Sequence, residues 1–205
     1  MAVEKSLYKR CEFEMTQLFI LTEEPSITSV IEETLNKILP EGVYFQILSH
    51  EGKNDLENAI TKTLPSLSKM PGVRIIVTRD MDEWDCRELK EHLLGLINGN
   101  CHCPHLIRIV CRNLESWLLG DLEAIQLAYN RFSPSHHKYT EEFRNVDNIG
   151  NPTDRLHRIV PELSDRLRLP KVEVARTISP YMDIQRNKSA SFQCFVSGVR
   201  KLIES

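Results

Sequence analysis

The sequence predicts an α/β fold: a mainly parallel four-stranded sheet flanked by helices, with a helical C-terminal extension packed on the same core. Three observations predict it. Short apolar, β-prone runs alternate with helix-period segments three times, which calls for βαβ crossovers. The third run, Val73–Val77 (VRIIV), is nearly continuous in apolar residues, as in a central strand. After Leu114 the pattern turns helical. On this reading residues 1–130 form the α/β domain and residues 131–205 the extension.

Thr16–Leu21 (TQLFIL) is the first strand, and Thr22-Glu23-Glu24-Pro25-Ser26 breaks it. Ile27, Val30, Ile31, Leu35, Ile38 and Leu39 then recur at helical spacing. Pro25 and Ser26 suit a helix start, and Pro40 with Gly42 ends the helix. Val43–Leu48 (VYFQIL) is the second strand. A turn at residues 50–55 leads into a second helix through Leu56, Ile60, Leu64 and Leu67, weakened by Pro65. Val73–Val77 is followed by a loop, Thr78–Asp85, and by a third helix through Leu89, Leu93, Leu96 and Ile97. Asn98-Gly99-Asn100 stops that helix, and Leu106–Cys111 is the fourth strand.

Beyond it the spacing predicts a helix over Glu115–Asn130, a polar stretch to Gly150, and helices near Asn151–Val160 and Lys171–Ile178. Phe192, Phe195, Val196, Val199, Leu202 and Ile203 form one apolar stripe, a structural helix capped by Ser189 or Ser191.

Composition narrows the class. The chain has 205 residues, 41% of them hydrophobic, enough for one domain of ordinary size. No apolar run approaches the roughly 20 residues that cross a bilayer. The first fifteen residues are polar and charged, unlike a secretory signal. Six cysteines without such a signal are expected as reduced thiols, so a cytoplasmic location is expected. Cys101-His102-Cys103-Pro104-His105 does not match the separated ligand pairs of a zinc site. The net charge of −3 divides into −7 over residues 1–150 and +4 over residues 151–205. An acidic first part suits a metal site, and a basic tail suits a polyanion or simply solvated helix faces.

The chemistry concentrates at the strand ends. Ligands of open parallel sheets bind beyond the carboxyl ends of the strands. Glu23 follows the first strand, and Asp80 and Asp82 follow the third. In an extended segment, the Asp-x-Asp spacing puts both carboxylates on one side. Three anions brought together repel unless a cation neutralises them, and hard oxygen donors favour Mg²⁺ or Mn²⁺. The same acids serve equally as helix caps, with Asp82 or Glu83 available to the third helix.

The segments that carry a family likeness are FILTEEPS (Phe19–Ser26), EGKNDL (Glu51–Leu56), IVTRDMDEWDCRELK (Ile76–Lys90), CRNLESWLLGD (Cys111–Asp121), Asn151-Pro152 and ISPYMDIQRNKSASFQCF (Ile178–Phe195). A strand ending in Glu and a later strand ending in Asp-x-Asp resemble the Toprim fold of topoisomerases, primases and several nucleases. The chain most closely resembles the bacterial Toprim-like family catalogued as domain of unknown function 4276. The resemblance implies a Toprim-like, Rossmann-like fold and a Mg²⁺ (or Mn²⁺) site of Glu23, Asp80 and Asp82. Toprim proteins usually have Gly after that Glu; here it is Glu24, so the ligand is either Glu23 or Glu24, with Glu23 favoured as the nearer to the strand end. It further implies a metal-dependent nuclease with DNA or RNA as substrate, in a phage-defence or mobile-element setting with an ATPase partner. The alternatives are a non-catalytic binding or regulatory subunit of an ATPase complex, and phosphate chemistry on a small nucleotide.

Around that core, Glu115 is a further carboxylate past the fourth strand, or an early helix residue favoured by the dipole. Lys53, after Gly52 in a turn, can reach a phosphate or stay solvated. Arg79 either steers substrate or pairs with a carboxylate. Arg186 and Lys188 suit a nucleic-acid backbone contact or a capping loop.

Overall fold

The computed structural model describes residues 16–204; the expectation about the first fifteen residues lies outside them. Four parallel strands form one sheet in the order β2-β1-β3-β4: β1 (Thr16–Thr22), β2 (Val43–Ser49), β3 (Val73–Asp80) and β4 (His105–Val110). The register pairs Thr22 with both Ser49 and Thr78, and Asp80 with Val110, so the strands end nearly level.

The period of two in the strands separates two cores. Phe19 and Leu21 of β1, with Ile75 and Val77 of β3 and Ile107 and Ile109 of β4, face one side. There they meet α2 (Lys53–Lys62), α3 (Leu64–Leu67) and α4 (Cys86–Ile97) through Leu56, Ile60, Leu64, Leu89, Leu93 and Ile97. Leu18, Ile20, Ile76 and Val110 face the other side, against α1 (Thr28–Ile38) and the helices that follow β4. Those are α5 (Leu114–Leu119), α6 (Leu122–Ala128), α7 (Pro152–Ile159), α8 (Pro161–Ser164), α9 (Lys171–Ile178) and α10 (Ala190–Glu204). Residues before and after position 130 share this second core without a break: Trp117 lies against Phe192 and Phe195, with ring centroids 5.3 and 5.2 Å away. Three aromatic rings buried together contribute about 2 kcal/mol each or more.

Local chemistry explains most boundaries. Asp85 caps α4, its Oδ1 accepting from Arg87 N at 2.8 Å and Glu88 N at 3.2 Å, in place of the Asp82 or Glu83 expected from the sequence. Ser189 caps α10 by accepting from Phe192 N, while Asp147 accepts from Ser189 Oγ and Ser191 N, both at 2.7 Å. Pro65 divides the second helix into α2 and α3.

Three expectations need correction. β3 continues through Asp80 instead of ending at Val77, because its backbone stays paired with β4 to Val110. The helix expected over 115–130 breaks at Gly120-Asp121, where Asp121 begins α6 as its cap, accepting from Ala124 N at 3.1 Å. The polar stretch to Gly150 buries Phe143, Val146 and Ile149 from a series of short 3₁₀ turns.

Candidate acidic site at the sheet switch point

β1 and β3 are sheet neighbours, and they are where the chain's direction of travel across the sheet divides. From β1 the chain crosses to β2 by α1, on one face. From β3 it crosses to β4 by α4, on the other. The carboxyl ends of two such strands leave a crevice between them. Glu23 and Glu24 leave β1 there, and Asp80 ends β3 there.

Glu23 is buried and points at β3: its Oε2 accepts from Asp80 N at 3.2 Å and lies 3.8 Å from Arg79 Nε. Burial, followed by the charge of Asp82, raises its carboxyl above the ordinary range, with Arg79 opposing. Asp80 lines the same narrow cleft as Glu24, Ser26 and Leu114. Burial first, then Glu23, Glu24 and Glu115, push it well above the usual carboxylate value. Glu115, in the first turn of α5, is also buried, and burial raises its pKa. Its Oε2 accepts from Thr153 Oγ1 at 3.0 Å, and Asn113 Nδ2 donates to the same hydroxyl at 2.9 Å. Its Oε1 is buried without a hydrogen-bond partner among the described residues.

The cation among these acids is one that sequence reasoning missed. Lys171, the first residue of α9, sets its Nζ 3.5 Å from Glu24 Oε2. Burial lowers its pKa, but Glu115, Glu24 and Asp80 together outweigh that and raise it. Nothing local distinguishes this lysine from its neighbours, so only the packing of α9 against the turn at Pro25–Ile27 reveals it.

The expected site residues therefore divide. Glu23, Asp80 and Glu115 converge, joined by Glu24. Asp82 is close enough to raise Glu23, but not by the extended Asp-x-Asp geometry: its φ is +50°, a left-handed turn. Its N–H donates to the carbonyl of Arg112, the other left-handed non-glycine residue described, at φ +60°. Strained backbone of this kind gathers at functional sites. Lys53 stands exposed at the start of α2, which Gly52 N ties to the Glu23 carbonyl at 2.9 Å. Arg79 is not at the surface. Its Nη1 bonds Glu57 at 2.6 Å, its guanidinium lies over Trp84, and only 2% of its side chain is exposed. Arg186 is held by Asp121 through Nε at 2.6 Å and Nη2 at 2.9 Å, while Lys188 is exposed.

Among the described residues, no three Asp, Glu, His or Cys side chains stand close enough to ligate one ion. The donor set nevertheless fits a hard cation. It is all oxygen, its acids repel one another, and Glu115 holds a buried oxygen with no partner. Mg²⁺ commonly takes one or two carboxylates and completes its shell with water and phosphate.

A four-stranded parallel sheet with acids at its switch point, closed over by helices from the far end of the chain, makes this an α/β domain. The C-terminal region of the Burkholderia pseudomallei OLD protein shares the fold, with a TM-score of 0.55 at 11% identity over 91% of this chain and 98% of that one. The chain belongs to the family described as Domain of unknown function (DUF4276), whose model matches residues 22–200. No curated protein matches it. No described helix is long and apolar enough to cross a membrane.

Proposed function

We propose that the chain is a Mg²⁺- or Mn²⁺-dependent phosphodiesterase acting on nucleic acid. The observation that carries this reading is the gathering of Glu23, Glu24, Asp80 and Glu115 at the crevice, with three of them held above their ordinary pKa. Carboxylates that destabilise one another are suited to a divalent cation. Asp80, with Glu23 or Glu24, would hold it, with Asp82 at the rim. A bound ion would polarise a phosphoryl oxygen and lower the pKa of a water.

The protein's own residues prepare that chemistry. The Asp80 N–H and Arg79 fix the Glu23 carboxylate from behind. Glu23, with its raised pKa, is suited to take a proton from an attacking water. Lys171 brings the positive charge nearest the acids, suited to a phosphate oxygen. Arg79, already paired with Glu57 and Glu23, serves as a positioning residue and not a substrate contact.

The test is cleavage of DNA and RNA by the purified chain in Mg²⁺ or Mn²⁺. Wild type is expected to cut, and an Asp80→Ala, Asp82→Ala double variant to lose at least about a hundredfold of that activity. Undiminished cutting by the double variant refutes the assignment. A second reading is a binding or regulatory subunit of an ATPase complex. It is favoured by the neighbour's being one region of a longer protein. It expects no cutting by the isolated chain and co-purification with an ATPase partner.

A further inference from the structure

We propose that the groove along α9 docks duplex DNA and leads it to the acidic cleft, an inference that rests on the nuclease reading above. Sequence reasoning placed nucleic-acid contacts at Arg79, Arg186 and Lys188. Two of these are committed elsewhere, Arg79 to Glu57 and Arg186 to Asp121. Two uncommitted guanidinium groups, those of Arg168 and Arg176, lie beside Lys171. Both line one open groove with Pro170, Lys171 and Thr177. Neither side chain makes an ion pair or hydrogen bond among the described residues.

Lys171 joins the groove to the cleft: it lines the first and reaches Glu24, which lines the second. The groove's one acid, Glu173, is neutralised: Arg166 donates Nη1 and Nη2 to its two carboxylate oxygens, each at 2.8 Å. Arg168 and Arg176 are thus left to face a polyanion, and arginine's planar fork matches phosphate oxygens. Leu167 is fully exposed between Arg166 and Arg168. An apolar wedge flanked by arginines suits the minor groove of a duplex. No aromatic ring lines the groove, so it lacks the stacking platform that single strands use.

The experiment is fluorescence anisotropy with a short labelled DNA duplex and the matching single strand, in EDTA so that nothing is cut. Wild type is expected to bind the duplex in preference to the single strand. An Arg168→Glu, Arg176→Glu double variant, shown folded by circular dichroism, is expected to bind at least roughly tenfold more weakly. Its plot of log affinity against log salt should be shallower by about two. A Lys69→Glu variant, at an exposed lysine outside the groove, should bind as wild type does. Unchanged affinity and slope in the double variant, a preference for single strands, or no binding by wild type at low salt each overturn the proposal. Its failure is separable from that of the nuclease reading. Duplex binding through these arginines without cutting in Mg²⁺ leaves the dock and removes the nuclease. Cutting by a protein whose binding ignores both arginines does the reverse.

Discussion

Asp80 is buried and also faces three other carboxylates, Glu23, Glu24 and Glu115; burial first and then those charges make it hold its proton well above the usual carboxylate range. Glu23 and Glu115 shift the same way. A carboxyl whose folded pKa is raised binds its proton more tightly in the native state than in the unfolded chain. Its stabilising contribution is complete below the ordinary carboxylate value and is lost as pH rises through the raised one. The metal-free protein is therefore expected to melt higher near about pH 5 than near about pH 7.5, and Mg²⁺ should narrow the difference. Thermal denaturation across pH, with and without the ion, measures both. Asp80→Asn should stabilise the metal-free protein at neutral pH by about 1 kcal/mol in urea denaturation while abolishing cleavage. The positions of Glu23 and Asp80 were legible in the sequence because each ends an apolar strand. That Glu24 joins the cleft was not settled there, because two adjacent glutamates after a strand do not say which turns inward. Arg79 reads identically as a surface or a buried cation until α2 brings Glu57 against it.

Among the elements, the junction of α5 and α6 is tightly specified. A Cβ added at Gly120 would collide with the side chain of Asn187. Asn187 is itself buried and fully used, its Nδ2 donating to the Trp117 carbonyl and its Oδ1 accepting from Ser189 N. Gly120→Ala is expected to displace it and cost about 2–3 kcal/mol, measured by chemical denaturation. Strands and their flanking helices were legible from periodicity, since each has one buried face. The α5–α6 break was not. Gly120 and Asp121 sit inside an otherwise helical run, and the asparagine that requires a glycine there is supplied from a segment far along the chain.

For the whole molecule, alternation of strand and helix gave a parallel sheet but not its order. Adjacency of β1 and β3 is what sets their carboxylates face to face, and it depends on which helices cover which face. The second core draws on both ends of the described chain. Phe192, Phe195 and Val199 of α10 are buried with Trp117, Leu18 and Ile76. A chain ending before α10 is therefore expected to lose cooperative unfolding altogether instead of shedding an independent tail, as calorimetry would show.

Lys171 has one more consequence, in time instead of space. The ribosome delivers a chain from its first residue to its last, so Glu23, Glu24, Asp80 and Glu115 all emerge before the lysine that answers them. A product that stops before residue 171 holds the acids without Lys171 and without α9, which carries it. On the nuclease reading, competence then waits until residue 171 has been made, and a copy that stops short of it has the acids without the lysine.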